Sequence, residues 1–495
     1  MEQTSPLTQK LDRALYISLL LLVLAAPVSI AATQTAWALS MLIWIVRAFV
    51  VRPKIKFDLF GIVVLIFIGL TLLSSVFSYE PEVSLRKMVA VSLVSIVFLF
   101  AENVKDKQTA RLFVVALLVS CAFSVAFTVA ARIIGKNLKV YQMTADSPLR
   151  AAGVQETDTI LTANGKNINN PDELLSVFST TQNNEPVKLL VYRHELLVDC
   201  AVHSSLLLTG EKSAERLGIV SWSRGRDTRA AGFYGHYTTY AEVLQLIASI
   251  ALGLLIIFPG GYFAKNRVLL AVAVGAYCFA LLLTLTRASW ASFFVSASIM
   301  ILIGASRRTV LICLACAVPL ILGGLFFLQQ KRKVGFVDSK DGSTQWRLIV
   351  WREGFDLLKS NSRHLFVGIG MDSIKTHWRE WKMFDNGKQP IGHMHSTPLQ
   401  LALERGVPTL LAWLFWIGLY CRKLWQSLKH KDWDWQERGF LLGAFGGTIG
   451  FITSSLVHYN WGDSEVVMIF YLLMGLSLAT MRGLKSNTEL KEERA

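Results

Sequence analysis

Long runs of apolar residues recur along this chain, and short polar stretches separate them. A helix that crosses a bilayer needs about 20 mostly apolar residues. The pattern predicts twelve membrane-spanning helices, at residues 14–32, 36–51, 59–77, 88–100, 112–131, 240–258, 268–285, 290–304, 310–328, 407–420, 440–457 and 466–481. No cleavage site follows the first run and the second begins within a few residues, so we expect the first to be a retained helix.

The composition agrees with this pattern. Of the 495 residues, 53% are hydrophobic and only 17% are charged, and the mean hydropathy is +0.44. A soluble domain cannot bury so much apolar surface. We therefore expect an all-α polytopic membrane protein that carries one small α/β insertion.

The distribution of Lys and Arg predicts the orientation, because cytoplasmic loops carry an excess of these residues. If the N-terminus is cytoplasmic, the inside segments hold 22 Lys and Arg, whereas the short outside loops hold three, Arg86, Lys87 and Arg287. Both termini are then expected in the cytoplasm, and the long segments 132–239 and 329–406 outside. Much of the net charge of +15 is explained by this topology, which argues against a nucleic-acid partner.

The first outside segment has the pattern of a compact mixed domain. Strand-like runs lie at residues 139–143, 159–163, 187–193 and 196–202, and Asn164-Gly165 is a type I′ turn signal. Asn170 as N-cap, Pro171 at the first position and Glu173 three residues after the cap predict the start of a helix.

Two stretches of this segment, residues 146–154 (DSPLRAAGV) and 158–165 (DTILTANG), resemble the bacterial PDZ pattern, with Thr157 where Gly is usual. The resemblance implies a PDZ-like domain whose carboxylate-binding loop lies around residues 135–140. PDZ domains bind peptides by adding a strand to an exposed sheet edge. A spacer or docking domain without peptide recognition is the alternative. An intramembrane metalloprotease would need His-Glu-x-x-His, which does not occur.

Four motifs rich in Arg, His, Gly and aromatic residues follow in the second half of the chain. In order, they contain Arg229, Gly232, Gly235 and His236; then Arg287 and Trp290; then Arg347, Trp351, Gly368 and Gly370; then His393, His395, Gln400, Glu404 and Gly406. In this order and spacing they resemble the O-antigen ligase family and its relatives, the O-antigen polymerases and protein O-oligosaccharyltransferases. The resemblance departs at Tyr237, Thr238 and Ser396, where the family usually has Asn or Pro.

The resemblance implies a GT-C-like bundle with a periplasmic catalytic loop and a metal-independent, inverting glycosyltransferase that needs no cofactor. The donor would be a glycan on undecaprenyl diphosphate in the inner membrane of a Gram-negative bacterium. The favoured acceptor is lipid A–core. The family assigns the general base to His395, with His393, His236 and Glu404 as further substrate-binding residues.

Elementary chemistry supports these roles. A departing diphosphate is anionic, and Arg binds such groups bidentately while always protonated. We expect Arg287 and Arg229 to hold it, with Arg347 as a further candidate. Arg287 lies between apolar runs, where an Arg at a helix centre costs about 2.5–3.5 kcal/mol, although snorkelling to the interface would avoid that cost. A sugar hydroxyl is a poor nucleophile, and His is the natural base near neutral pH.

Several alternatives remain open. Polymerisation or transfer to a protein hydroxyl uses the same chemistry, a flippase would also need intramembrane Arg, and a PDZ-based scaffold would use the helices only as an anchor. His395 could also be a structural histidine. The expected domains are helices 1–5 (residues 1–131), the PDZ-like domain (132–205), helices 6–9 (206–328), the catalytic loop (329–406), and helices 10–12 with the tail (407–495). Only Cys200 of the six cysteines lies in an outside segment, so no disulfide framework is expected there.

Overall fold

The structure, a computed structural model, describes residues 5–52, 58–181, 185–193, 196–226, 229–261, 264–307, 310–311, 342–430 and 432–492. The predicted ninth span, at residues 310–328, lies almost wholly outside the described residues. The chain forms two compact units. The first comprises Met1–Ser124, Phe233–Leu282 and Thr286–Ala495, and the second comprises Val125–Gly232 with Leu283–Leu285.

Helices account for most of the described chain. In chain order they are α1 (Pro6–Ala25), α2 (Ile30–Val51), α3 (Leu59–Val76), α4 (Pro81–Val91), α5 (Ser95–Asn103), α6 (Lys107–Ile134), α7 (Pro148–Ala151), α8 (Pro171–Thr180), α9 (Ser213–Arg216), α10 (Tyr237–Ile257), α11 (Lys265–Leu283), α12 (Arg287–Gly304), α13 (Gly342–Lys359), α14 (Ser362–Phe366), α15 (Ser373–His377), α16 (Met383–Gly387), α17 (Thr397–Arg405), α18 (Val407–Leu428), α19 (Trp435–Ser455) and α20 (Ser464–Glu492).

Eight helical segments in the described part of the chain are long and apolar enough to cross a membrane. They are α2, α3, α4 joined to α5, α6, α10, α11, α12 and the first part of α20. A 3₁₀ turn at Ser92–Val94 joins α4 to α5, and the predicted span at residues 88–100 crosses this turn. The chain is a multi-pass membrane protein, and the count of twelve spans stays a prediction.

Glycines let α19 approach its neighbours closely in the first unit. Gly439, Gly443 and Gly447 recur every fourth residue of α19. A Cβ at Gly443 would lie 2.5 Å from the Cα of Ile250 on α10, and one at Gly439 would lie 2.8 Å from the Cα of Leu254. Small residues at this spacing let membrane helices pack backbone against backbone. This packing fixes α10, the helix that begins beside His236.

The second unit is built on an antiparallel sheet. Its strands are β1 (Leu138–Met143), β2 (Thr159–Ala163), β3 (Lys166–Asn167), β4 (Val187–Arg193), β5 (Leu196–Val202) and β6 (Ile219–Arg224). The strand order is β5-β4-β2-β1-β6, and β3 pairs with β2. Apolar residues of the sheet and of α8 form one core that includes Val140, Ile160, Leu174, Phe178 and Val191.

The strand and helix predictions for this unit are confirmed. Asn164 and Gly165 both have positive φ, at 47° and 79°, as a type I′ turn requires. Asn170 caps α8 by accepting a hydrogen bond from the main-chain N–H of Glu173, at 2.8 Å. Glu173 in turn accepts from the main-chain N–H of Asn169, at 2.7 Å, one residue earlier than in a standard capping box.

The predicted position of the carboxylate-binding loop is wrong. Residues 138–143 form β1, whose two edges pair with β2 and β6. The main-chain N–H of Lys136 donates to the oxygen of Gly225, and the N–H of Gly225 donates to the oxygen of Asn137. These amides are therefore already used within the sheet. The sheet also needs β6, which lies beyond the predicted domain end at residue 205.

Candidate active site

The loop His393–His395 lies just before α17 and is held by three hydrogen bonds. The indole N–H of Trp351 donates to the oxygen of Met394 at 2.8 Å, and the N–H of Met394 donates to Oε1 of Gln400 at 2.6 Å. The N–H of His395 donates to Nδ1 of His393 at 3.2 Å. His395 has a left-handed backbone, with φ 47°, a conformation that persists in a non-glycine residue only when its surroundings impose it.

The two imidazole rings lie together, with centroids 4.0 Å apart. Because Nδ1 of His393 accepts a hydrogen bond, the neutral ring of His393 carries its proton on Nε2. The ring of Trp346 meets that of His395 edge to face, at 4.3 Å. Neither ring nitrogen of His395 is hydrogen-bonded to another described residue. His395 therefore keeps an unprotonated nitrogen available to a ligand.

Both histidines are neutral at physiological pH. Burial, the neighbouring His393 and the positive charge of Arg347 lower the pKa of His395 to about 2. Burial and the positive charge of Lys375 lower the pKa of His393 to about 4. Desolvation disfavours the charged form of a base, which is why the shift is downward. His236 adds a smaller effect of the same sign at both rings, whereas Arg347 acts on His395.

Three glycines with positive φ bring the backbone around the loop into close contact. The N–H of Ile369 donates to the oxygen of Leu403 at 2.9 Å. A Cβ at Gly368, whose φ is 85°, would overlap the main-chain oxygen of Glu404, and a Cβ at Gly406 would overlap the oxygen of Phe366. A side chain at Gly370 would collide with the hydroxyl of Ser78. The Gly-Ile-Gly motif thus anchors the segment after α14 against α17.

Glu404 is buried and fully used within the protein. Its Oε1 accepts from the N–H of Asp372 at 2.9 Å, and its Oε2 accepts from the hydroxyl of Tyr459 at 3.3 Å. Burial raises the pKa of Glu404, opposed by the charge of Arg405. Glu404 therefore holds the main chain at Asp372, and its predicted contact with substrate stays a prediction.

A cavity of about 500 Å³ lies against His393. Its polar wall is strongly ionic and contains Lys87, Thr239, Asp372, Lys375, His393, Glu404, Arg405, Tyr459, Asp463 and Glu465. Lys87 and Lys375 both bind Asp372, at 2.8 and 3.1 Å. Burial opposes ionisation of Asp372, but these two lysines prevail and lower its pKa.

Two charged groups of this cavity are incompletely paired. Arg405 is only 6% exposed, and its Nε and Nη1 have no hydrogen-bond partner among the described residues. Asp463 accepts from the hydroxyl of Thr239 at 2.5 Å, and burial and then the neighbouring Glu465 raise its pKa to about 7. A buried guanidinium with free donors favours an anionic ligand.

Arg287 is the first residue of α12 and follows the turn after α11. It is half-buried at a helix end rather than at a helix centre, so the cost of a central membrane charge does not arise. Arg229 belongs to the second unit, where the N–H of Ala230 donates to the oxygen of Leu283 at 3.0 Å. That Arg229 and Arg287 together hold the departing diphosphate stays a prediction.

Within the described residues, no group of three or more His, Cys, Asp or Glu side chains is arranged to hold a metal ion. The cysteines described there, Cys121, Cys200, Cys278 and Cys421, are free thiols.

Two parts of the chain match models of known protein families. Residues 270–414 match the O-antigen ligase family model. The chain carries an O-antigen ligase domain. Residues 122–203 match the PDZ domain model, so the predicted combination of an O-antigen ligase with a PDZ insertion is confirmed. No curated protein matches the chain.

The O-antigen ligase domain includes Arg287, Arg347, His393, His395 and Glu404, whereas Arg229 and His236 precede it. The family match supports a membrane glycosyltransferase-like function.

Sequence reasoning missed several residues of the site. Lys87, Asp372, Lys375 and Tyr459 line the cavity, and Trp346 packs against His395. Lys87 was visible only as one of the three Lys or Arg residues in short outside loops, a place where such charge is unusual. That departure from the topology pattern was the signal that could have identified it.

Proposed function

We propose that this protein transfers an oligosaccharide or polysaccharide from undecaprenyl diphosphate to an acceptor hydroxyl on the periplasmic face. Ligation to lipid A–core is the favoured reaction, and polymerisation or transfer to a protein hydroxyl is the alternative. The proposal rests above all on the His393–His395 loop, which belongs to the O-antigen ligase domain and is fixed beside an ionic cavity.

The proposed step is a direct inverting displacement. The acceptor oxygen bonds to C1 of the donor sugar as the bond from C1 to the diphosphate oxygen breaks. The acceptor proton passes to the unprotonated nitrogen of His395, and undecaprenyl diphosphate leaves with the bonding electron pair. A positioned base contributes about 10²–10⁴-fold in such reactions.

The location of cationic groups supports an anionic donor. Arg287 and Arg229 are proposed to hold the diphosphate, with Arg347 near His395 as a further contact. Lys87, Lys375 and Arg405 place positive charge on the cavity wall, which also carries the acids Asp372, Glu404, Asp463 and Glu465. Fixed cations that face the place where charge develops stabilise a transition state without reorganising.

Purified full-length protein in proteoliposomes tests the proposal. Lipid-linked glycan is offered with three acceptors in parallel: lipid A–core, a second glycan and a pilin-like protein. We expect transfer to lipid A–core, and the same rate with EDTA present. Transfer to another acceptor would select the corresponding alternative. Absence of transfer to all three, with lipid-linked glycan carried across the bilayer by wild-type protein and by His395→Ala alike, would favour a flippase.

For the PDZ domain, we propose that an extended peptide adds to the free edge of β6. This strand ends the sheet order, and Val220 and Trp222 on it are 61% and 40% exposed. Edge strands with unpaired main-chain groups are templates for a further strand.

A phage-displayed library of random peptide C-termini, panned against the full-length protein, tests this edge. Val220→Asp should abolish binding of the enriched peptides. Leu197→Asp, on the opposite edge strand β5, is the matched control and should leave binding intact. Equal losses in both variants, or no enrichment at all, would contradict peptide binding at β6.

A further inference from the structure

A buried acid–base pair lies at the junction of α10, α12, α17 and α19. Glu242 of α10 is 1% exposed and His458, after α19, is 7% exposed. Nδ1 of His458 lies 2.8 Å from Oε1 of Glu242. Ionisable residues inside a membrane bundle are expensive and usually functional, and neither the histidine loop nor the ionic cavity includes this pair.

On one side the pair is tied to the helix that begins with Arg287. The hydroxyl of Ser289, in the first turn of α12, donates to Oε1 of Glu242 at 3.2 Å. The hydroxyl of Ser454 at the end of α19 donates to Oε2 at 2.7 Å. Both carboxylate oxygens are therefore occupied by fixed donors.

On the other side the pair is tied to the residue that follows the histidine loop. The N–H of Thr397 donates to the main-chain oxygen of His458 at 3.0 Å. The hydroxyl of Thr397 donates to Oδ1 of Asn460 at 2.9 Å, and the side-chain amide of Asn460 donates to the hydroxyl of Ser454 at 3.0 Å. Thr397 stands two residues after His395 and begins α17.

We propose that Glu242 and His458 are positioning residues that fix the start of α12, with Arg287, relative to the start of α17, with His395. The proposal rests on the proposed function, because it takes Arg287 as a donor-binding group and His395 as the base. The chain of hydrogen bonds runs from Ser289 through Glu242 and His458 to Thr397, and every member is buried. A half-satisfied buried polar network is unstable, so removal of Glu242 should release both ends.

Transfer kinetics of the full-length protein test the consequence for catalysis. We expect Glu242→Leu to lower kcat by about 10- to 100-fold, the effect of displacing reacting groups by about 1 Å, with the affinity for undecaprenyl diphosphate within about twofold of wild type. Glu242→Gln, which keeps an acceptor oxygen, should restore part of the rate. His458→Ala should add little to Glu242→Leu, because the two act through one network.

Ser249→Ala is the matched control. Ser249 and Ser296 form another buried hydrogen bond between α10 and α12, at 3.1 Å, but it does not reach Thr397. This variant should keep the wild-type kcat. A general packing defect would affect both variants, and equal losses in kcat would overturn the proposal. A Glu242→Leu variant that melts at a lower temperature but keeps the wild-type kcat would also overturn the proposal.

Hydrogen exchange separates this proposal from the proposed function, because it requires no transfer. Glu242→Leu should speed exchange in a peptide that covers residues 393–400, where the amides of Met394 and Thr397 are hydrogen-bonded. Ser249→Ala should not. Unchanged exchange in Glu242→Leu would refute the positioning role even if transfer is observed, and changed exchange would support it even if the reaction proves to be different.

Discussion

At the scale of single residues, the histidine loop depends on burial for its chemistry. His393 and His395 share a site beside Arg347 and Lys375, and their pKa values are lowered to about 4 and about 2. A neutral imidazole does not repel a cationic diphosphate clamp, and an anionic diphosphate bound beside it would raise the pKa of His395 towards the range of an effective base. The backbone of His395, with φ 47°, shows how strongly its surroundings determine this loop.

The lowered pKa values predict a dependence of stability on pH. Below pH 6.5 the unfolded chain protonates these histidines while the folded protein does not, so the unfolded state binds more protons and the free energy of unfolding falls. The loss begins near pH 6.5 and continues down towards the folded pKa values, at about 1 kcal/mol per histidine and pH unit. The melting temperature should therefore fall between pH 7.5 and 5.5.

The double variant His393→Gln with His395→Gln should show a smaller fall across the same range. The exposed His430, after α18, provides the control, since His430→Gln should leave the profile unchanged. A double variant with the wild-type profile would show that these two histidines are not held neutral.

Thr157 gives a stability prediction in the second unit. It has φ 73° and an exposed side chain, at the position where the PDZ pattern usually has Gly. A β-branched residue in this conformation is strained, so Thr157→Gly should stabilise the unit by about 1 kcal/mol after the entropy cost of glycine. Slower hydrogen exchange in β1 and β2 would verify this. Thr180→Gly in α8 should instead destabilise the unit. Similar changes in stability at both positions would contradict strain at Thr157.

At the scale of elements, local patterns predicted some parts well and others poorly. The strands 187–193 and 196–202 were predicted with their observed bounds, because a strand-like apolar run is a local pattern. Strand β6 was not predicted, since it exists only by pairing with β1 about 80 residues earlier in the chain. The cavity lysines were missed for the same reason. Lys87 binds Asp372, and no local pattern connects them.

The glycine contacts of α19 yield a prediction at this scale. Gly443→Ala places a methyl group against the backbone of α10 and should separate the two helices, lowering both the melting temperature and the transfer rate. Gly418→Ala on α18 meets no atom within 4 Å and is the matched control. Thermal unfolding of both variants is the measurement, and a Gly443→Ala protein as stable as Gly418→Ala would disprove close packing of α10 and α19.

At the scale of the whole molecule, the O-antigen ligase domain and the PDZ domain are separable in sequence. The N–H of Lys136 donates to the oxygen of Gly225 at 2.8 Å, so the chain enters and leaves the sheet at adjacent points. Deletion of residues 137–224, with Lys136 joined to Gly225 through a short Gly-Ser linker, removes the whole sheet, including β6.

We expect this deletion variant to insert in membranes and to keep transfer activity. Deletion of residues 137–203 alone is the informative comparison, because it leaves β6 without its partner β1 and should aggregate. Complete loss of transfer in a well-inserted 137–224 deletion would mean that the PDZ domain contributes to the reaction itself.

The central claim is that His395 acts as the base in transfer from a lipid-linked donor. The most direct test is a single-turnover assay with radiolabelled undecaprenyl-diphosphate glycan already bound to full-length protein, started by adding acceptor. We predict that His395→Ala binds the donor as wild type does but transfers it at least about 100-fold more slowly, while His430→Ala transfers at the wild-type rate. A His395→Ala protein that transfers bound glycan at the wild-type rate would contradict the account.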